Sequence, residues 1–572
     1  MSKADWIVLV ITLVGIITYG LYKSRTSKDL EGYFLSNRSM PWYLVLLSIM
    51  GTQASAITFL SAPGQAFTDG MRFVQYYFGL PIAMVILCVT FVPLFNKLKL
   101  FTAYEFLEKR FDLKTRTFTS FLFLLSRGLS TGISIYAPSI ILSSLMGWDI
   151  FWTNIVMGGM LIIYTVSGGA KAVAYTQQLQ LIIIFAGMFV AGYLIVDYLP
   201  EGVGFNDALK VSGATGKLNV ITTGITENGF DWKDRYNLIS GVIGGFFLAL
   251  SYFGTDQSQV GRYLTAKDNT ESRLGLLMNG LVKVPMQFLI LLLGALLFTF
   301  YQFTPSPVFF NKAVEEKAMK TSYQQELSSI QNQFNTYQIK QQEWSRLYTV
   351  EKQEQYKDSI ALGAQQLAGL QKEYKAVLTK AVPGADTNDT NYIFLRFVVD
   401  FLPKGLVGLL IAIIFLAAWG SIAAALNSLA SCTMIDFHQR LQGIKTDSTD
   451  PDQCAKEYRQ SKYYTLGWGI FCVITAQFAS GMGSLIEAVN VLGSLFYGVI
   501  LGIFLVAFYM KKVQANAVFA AAIIGELVVI GFFLLDRYNI IGLGFLWLNV
   551  VGALAVVLLS FIFQLFQRRV VE

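Results

Sequence analysis

Apolar runs of 18 or more residues recur from one end of the chain to the other, each closed by a short polar or charged connection. A run of that length lets a helix cross a bilayer. The pattern predicts about 13 such helices, over roughly 5–23, 42–61, 73–95, 119–145, 150–167, 176–199, 236–256, 275–304, 405–433, 461–480, 484–510, 515–535 and 541–566. The first run lacks a small-residue cleavage site and is followed by a second, so it reads as a retained helix.

Two runs are interrupted. The second reads MGTQASAITFLSAPG and the seventh ends in FGTDQSQ, each placing a glycine and small polar residues inside an apolar helix. Glycine costs a helix about 1 kcal/mol, so both are candidate breaks. A broken membrane helix exposes carbonyls that can coordinate Na⁺ and half-helix ends that can face a solute. Tight helix packing is the other use of such residues. The two breaks open segments five spans apart, the spacing of five-helix units repeated with inverted topology. The ninth span, dense in Ala, Gly and Ser, carries the same two readings.

Two connections are long. Residues 200–235 are Gly-rich and polar. Residues 306–392 are soluble in character, rich in Gln, Glu and Lys with spaced Phe, Trp, Tyr and Leu, and predict one or two amphipathic helices. This block reads as an extracytoplasmic decoration or partner surface. A part in the outer gate is the alternative, since it joins two core helices.

Composition agrees with a membrane protein. Of 572 residues, 54% are hydrophobic and 14% charged, with a mean hydropathy of +0.51. A soluble domain carries about 25% charge. Four cysteines with no CxxC pair and a lone histidine, His438, remove support for zinc sites, redox motifs and imidazole catalysis. The net charge of +7 reads as topology rather than nucleic-acid binding. Of the 44 basic residues, 23 fall in alternate connections, among them Lys23, Arg25, Lys28 and Arg38, then Lys97 to Arg116, Lys171, Arg262 to Arg273, Arg440 to Lys462, Lys511 and Lys512, and Arg568 and Arg569. Those connections face the cytoplasm by this reading. The N-terminus is then outside and the C-terminus cytoplasmic, as an odd number of spans requires. The 306–392 block holds 10 basic and 10 acidic residues and adds nothing to the net charge.

An ionisable residue inside a span is expensive and faces a cavity or a partner by default. Lys283, Arg127, Asp256, Glu487 and Glu526 qualify. Asp256 and Glu487 lie near span ends, where a wet interface also accounts for them. Lys283 and Arg127 lie deeper. A structural pair with an acid is the plain reading for Lys283, and a contact with helix carbonyls or the interface for Arg127.

The stretches GGAKAVAYTQQLQ at 168–180, SYFGTDQSQVGRYLTAKD at 251–268 and GLVGLLIAIIFLAAWGSIAAALNS at 405–428 resemble the sodium/solute symporter family, with TAYEFLEKRF at 102–111 and YAPSIIL at 136–142 in the same order. The YAP and GTDQSQVGRY segments lean toward its iodide, vitamin and monocarboxylate branch rather than its sugar branch. The resemblance implies an all-α membrane protein of the LeuT-type fold, with a 5+5 inverted-repeat core whose first and sixth helices are broken. It implies one extra helix before the core and two after. The expected divisions are 1–41, a first repeat at 42–199, a loop at 200–235, a second repeat at 236–305 and 393–510 split by the 306–392 insertion, and extra helices at 511–572. It implies transport of a small-molecule solute coupled to Na⁺, without enzymatic chemistry, by a single protomer in the lipid bilayer.

By motif match the family's shared sodium site falls on Gly51, Ala54, Ala417, Gly420 and Ser421. Gly420 stands where members often have a hydroxyl. Where members with an additional sodium carry an Asp, this chain has Gln177. The resemblance therefore implies one Na⁺ per turnover. Substrate positions map onto Gln53, Thr58, Tyr77, Leu80, Ala249, Lys283 and Asn490, with Tyr252 as an inner-gate aromatic. Leu80 and Ala249 are apolar where sugar carriers are polar. Lys283 and Arg127 are two cations near the path, which suits an anionic solute. A neutral-sugar transporter is the alternative. A transporter-like sensor, a membrane enzyme and a channel are weaker rivals, for want of a cytoplasmic domain, paired catalytic groups and a repeated filter.

Overall fold

The computed structural model describes residues 2–24, 30–443, 451–479, 482 and 484–571, with the side chains of 21, 23, 24, 30, 167–172, 451 and 567–571 left aside. Arg25, Lys28 and Lys445 of the charge count lie outside the described residues, as do the side chains of Lys23, Lys171, Arg568 and Arg569. The described residues are mostly helical, with one short antiparallel pair of strands, Ile225–Thr226 and Gly229–Phe230. The helices used below are α1 (Lys3–Ser24), α2 (Trp42–Gln53), α3 (Ala56–Asp69), α4 (Leu80–Val89), α5 (Leu113–Met146), α6 (Ile150–Asp197), α7 (Gly245–Thr255), α8 (Gln257–Tyr263) and α9 (Asn269–Phe303). They continue with α10 (Gln324–Thr349), α11 (Tyr356–Ala381), α12 (Leu406–Cys432), α13 (Pro451–Ala476), α14 (Leu485–Tyr509), α15 (Ala515–Arg537) and α16 (Leu546–Val571).

Among the described residues, nine helices are long and apolar enough to cross a membrane, or ten with the bent pair α2 and α3, which meet at 60°. The expected count of about 13 is not reproduced as separate long helices. The fifth and sixth expected spans run together in α6, whose two apolar lengths are 150–166 and 173–197. Ser167, Gly168, Gly169 and Lys171 lie between them, and the helical backbone continues through them without a proline to end it. The expected span at 461–480 lies within α13, whose first half is polar. The span at 236–256 is short because its helix stops at Asp256.

Both expected breaks are present. Ala54 (ψ 77°) and Ser55 (ψ 177°) leave helical geometry between α2 and α3. Asp256 (ψ 115°) separates α7 from α8 and caps α8, its Oδ1 accepting from the Ser258 amide and hydroxyl. At both places glycine and small polar residues make the helix cheap to interrupt, and a side chain or a freed carbonyl takes up the loose backbone groups.

The helices differ in cover. In α12, 89% of the apolar window is buried, against 33% in α15 and 22% in α1. Helices in lipid gain little from the hydrophobic effect and associate through close packing of small residues. The Ala-, Gly- and Ser-rich sequence of α12 lets α1, α5, α6 and α13 approach it together. Asp5 of α1 accepts hydrogen bonds from the amides of Gly405 and Gly408 at the start of α12.

The 306–392 block forms a helical hairpin, α10 against α11, as its amphipathic pattern predicts. Leu327, Ile330 and Phe334 of α10 pack on Leu367, Tyr374 and Leu378 of α11 and on Phe309. The hairpin is seated on the bundle. Gln341 donates to Gln302 of α9 (2.8 Å), and Tyr348 and Ile360 pack on Val211. Lys375 of α11 pairs with the buried Asp389, which also accepts from the Phe310 amide (2.8 Å). The next residues lie on α3. The Ser61 hydroxyl donates to Asn391 Oδ1 (2.7 Å), and a Cβ on Gly64 would fall 1.9 Å from the Thr390 carbonyl oxygen.

Candidate functional site

The two broken helices face one cavity, the second through α7 ahead of its break. It is lined by Thr52, Gln53, Ser55 and Thr58 of the first break, Tyr76 and Tyr77, Arg127, Thr131 and Ser134 of α5, Leu248 and Tyr252 of α7, Ser421 of α12, and Asn490 and Tyr497 of α14, with apolar side chains between them. Its volume is about 100 Å³. Of the expected solute positions, Gln53, Thr58, Tyr77, Tyr252, Asn490 and Arg127 line it. Lys283, Leu80 and Ala249 do not.

Arg127 is the only charged side chain on this wall among the described residues. It is 8% exposed, and its Nε has no hydrogen-bond partner. Its Nη1 lies 3.9 Å from Asp256 Oδ2, and its guanidinium carbon is 5.9 Å from the centre of the Tyr252 ring. The Tyr497 hydroxyl donates to Asp256 Oδ2 (2.8 Å), and Gln259 donates to the Tyr252 hydroxyl (2.7 Å). Asp256 is thus a buried cap and counter-ion at the seventh span's break, not an acid in a wet interface. Gln53 Oε1 has no partner, while Asn490 accepts from the Tyr76 hydroxyl (3.1 Å).

Lys283 is fully buried on α9, and its Nζ has neither a hydrogen-bond partner nor an acid within salt-bridge distance among the described residues. Its neighbour is the Tyr77 ring, 5.6 Å from Nζ to centroid. Asn279 and Gln287, one turn to either side on the same face, are equally buried and equally without partners.

At the first break, two expected carbonyls lose their helical donors. The Ser55 amide bonds Gln53 instead of Gly51, and the Thr58 amide bonds Ser55 instead of Ala54. On α12, Ala417 and Ser421 are one turn apart and share a face, and the Ser421 hydroxyl donates to the Ala418 carbonyl (3.0 Å) while facing the cavity. These groups offer oxygen only, which suits a hard cation. Gly420 differs, because its carbonyl accepts from Gln177 Nε2 at 3.1 Å.

Charged networks close both ends of the bundle. Where α5 begins and α12 ends, Asp436 accepts from Arg116 (2.6 Å), Thr102 (2.7 Å) and Ser120 (2.9 Å), while Glu108 pairs with Arg116 and Arg440. These hydrogen bonds hold the Glu108 carboxyl below the usual carboxylate range, despite partial burial. At the opposite end, Glu487 accepts from Arg235 (2.7 Å) and Tyr236 (3.0 Å). Sequence reasoning missed Tyr497, a tyrosine in an apolar helix with no pattern to mark it. It also missed Ser134 and Thr131, which read as ordinary span residues.

The model of the sodium:solute symporter family matches residues 33–323 and 358–525. The chain is 25% identical over 96% of its length to the sodium/sialic acid symporter SiaT of Proteus mirabilis (strain HI4320), covering 92% of that protein. It is 24% identical over 96% of its length to the sodium/glucose cotransporter of Vibrio parahaemolyticus, covering 87% of it. It is 30% identical to the sodium-coupled monocarboxylate transporter 1 of Xenopus laevis, but over only 48% of this chain and 43% of that protein. A solved structure of a Na⁺-coupled sialic acid symporter in a substrate-bound outward-open state superposes over 99% of this chain and 98% of that one, with a TM-score of 0.73 at 24% identity. That likeness establishes the fold.

Proposed function

The chain belongs to the sodium:solute symporter family, and on that premise we propose that it imports a small anionic organic solute, one Na⁺ per turnover, by alternating access. Membership makes it a multi-pass membrane transporter with Na⁺ as coupling ion. The anion is the finer reading, and one observation carries it: a single buried cation, Arg127, faces the cavity between the two broken helices with its Nε unpartnered. A buried guanidinium with an unmet donor suits a carboxylate. The hydroxyls and amides of Gln53, Ser55, Thr58 and Asn490 suit a hydroxylated body. The sialic acid and monocarboxylate relatives agree with an acid. The glucose relative keeps a neutral sugar as the second reading, favoured by those same polar groups and opposed by the buried charge.

With the orientation read from the charges, the 306–392 hairpin and the Glu487 network are outside, and the Asp436 network is inside. Na⁺ enters from outside and is held by the Gly51 and Ala54 carbonyls with Ala417 and Ser421, tying the broken first core helix to the eighth. The solute then settles against Arg127. Opening inward requires the Asp436 network to part and the outer network to hold. Coupling is the difference in Na⁺ affinity between the two states. One protomer is taken as the working unit, and the hairpin's exposed sides leave room for an outer partner.

Uptake into proteoliposomes tests this. N-acetylneuraminate, lactate and galactose are offered with and without an inward Na⁺ gradient. Sodium-dependent uptake of an acid in preference to galactose is expected. Uptake of galactose alone favours the sugar reading, and uptake indifferent to Na⁺ overturns the symport reading.

A further inference from the structure

Helix α8 ends in a buried cation with no partner. Arg262 is 2% exposed, the Nε and Nη1 of its guanidinium have no hydrogen-bond partner, and no acid lies within salt-bridge distance among the described residues. A seat in the last turn of α8 suits a positive charge but meets none of these donors. A guanidinium keeps its charge when buried, and burying an unpaired charge is costly. Its donors are therefore held for a partner that this state withholds.

The face that carries Arg262 leads to the cavity. Ser258 and Gln259 lie one turn earlier on α8 and share that face. The Ser258 hydroxyl donates to Asp256 at the break, and Gln259 donates to the hydroxyl of Tyr252 on the cavity wall (2.7 Å), with its own Oε1 unpartnered. With the orientation read from the charges, Arg262 stands about one helical turn inward of the group that holds Tyr252.

Helix α8 is also tied to the Asp436 network. Gln257 accepts from the Ala103 amide (3.0 Å) and donates to the Phe101 carbonyl (2.8 Å), while Thr102 between them donates to Asp436 (2.7 Å). The Tyr104 hydroxyl donates to the Thr255 carbonyl at the end of α7 (2.7 Å). Parting of the Asp436 network frees residues 101–104, and with them α8. The movement that opens the inner end is the one that uncovers Arg262.

We propose that Arg262 is a second anion station, inward of the cavity, which takes the solute's carboxylate from Arg127 once the inner end opens. The inference rests on the anionic-solute reading above and adds the residue that receives the acid on its way out. Asp256 faces Arg127 at 3.9 Å and competes with the solute for it, whereas Arg262 has no acid beside it. The carboxylate is therefore drawn inward. Water that reaches Arg262 through the open end then weakens the pair, because an exposed ion pair is worth little, and the acid leaves. A neutral sugar gains nothing from this station.

Counterflow in right-side-out membrane vesicles reads the inner side separately from the outer. N-acetylneuraminate or lactate, whichever the unaltered chain takes up with Na⁺, is loaded inside unlabelled, and entry of the labelled acid is followed. In Arg262→Gln, and in Arg262→Met as an unbranched side chain that a buried seat accepts, the internal concentration for half-maximal counterflow should rise about 10- to 100-fold, the worth of a hydrogen bond to a charged group. The external concentration for half-maximal uptake should stay unchanged, and Arg262→Lys should recover most of the internal affinity. An unchanged internal value in either inserted, transporting variant would overturn the inference and leave symport of an anion standing. So would internal and external values that rise together, the mark of a general packing defect. Failure of the unaltered chain to carry either acid would overturn the anion reading itself.

Discussion

The guanidinium of Arg127 stands 3.9 Å from the carboxylate of Asp256, joining the third core helix to the break in the sixth. Asp256 serves two elements at once, capping α8 through one oxygen and accepting from Tyr497 and facing Arg127 through the other. A solute carboxylate at Arg127 would compete with Asp256 for the cation and loosen the break. Arg127→Gln should weaken binding of an anionic solute by about 10- to 100-fold, the worth of a charge-assisted hydrogen bond. Asp256→Asn should do the reverse at rest, binding the anion more tightly while turnover slows. Equilibrium binding and initial uptake rates on both variants check this, and equal losses in the two would count against the competition.

Sodium affinity tests the first break. Ser421→Ala removes a hydroxyl on the cavity wall while leaving the α12 backbone intact. The Na⁺ concentration for half-maximal uptake should rise about tenfold, the worth of roughly one hydrogen bond. An unchanged sodium curve would remove Ser421 from the site.

The hairpin is built into the bundle. Asp389 is fixed by Lys375 from one side and the Phe310 amide from the other, and two residues later Asn391 bonds Ser61 on α3. Lys375→Ala should therefore slow transport several-fold without unfolding the hairpin, and removal of about 312–380 should abolish it. Uptake by membrane-inserted variants decides. Full activity after the deletion would return the block to the role of a decoration.

A pH signature follows from the same block. Burial lifts the Asp386 carboxyl to about 6, with the charge of Asp389 adding to the rise. The folded chain then holds this proton more tightly than the unfolded chain, whose carboxyl titrates near 3.8. Stability of the block should fall as pH rises between those two values and level off above about 6. Asp386→Asn keeps an acceptor for the Asn388 amide and removes the charge. It should flatten the slope and stabilise the block at neutral pH by up to about 3 kcal/mol. Hydrogen exchange of residues 356–392 at pH 4.5 and pH 7 measures it, and an unaltered slope in the variant would refute the assignment.

The breaks at Ala54 and Asp256 were legible because a membrane helix has few reasons to place Gly, Thr and Gln side by side, and the amphipathic hairpin because its period is local. The join within α6 was not, since Ser167, Gly168, Gly169 and Lys171 between its two apolar lengths look like a polar connection, and only the continuous backbone shows that they stay helical. The cavity was legible partly through family motifs, which put Gln53, Thr58, Tyr77 and Asn490 on its wall, and partly through the cost of a charge inside a span, which singled out Arg127. Lys283, mapped with the solute positions, lies behind Tyr77 instead, because a motif gives the helix but not the face. The engagement of Gln177 with Gly420 joins positions 243 residues apart, and nothing in either local sequence announces it.

The unequal cover of the helices has a consequence for the surrounding lipid. The helix that supplies Ser421 is sheathed by protein along nearly its whole apolar length, while α15 and α1 present most of theirs to the surroundings. A change in bilayer thickness acts on the helices that touch acyl chains, through tilt and local deformation costing fractions of a kcal/mol per Å. It falls first on the exposed helices α1 and α15 and on the second length of α6, and reaches α12 only through α1 and α6. Sodium affinity should therefore stay nearly constant in vesicles of short- and long-chain lipids, while the rate of the rocking step, which drags the outer helices through the bilayer, varies with chain length.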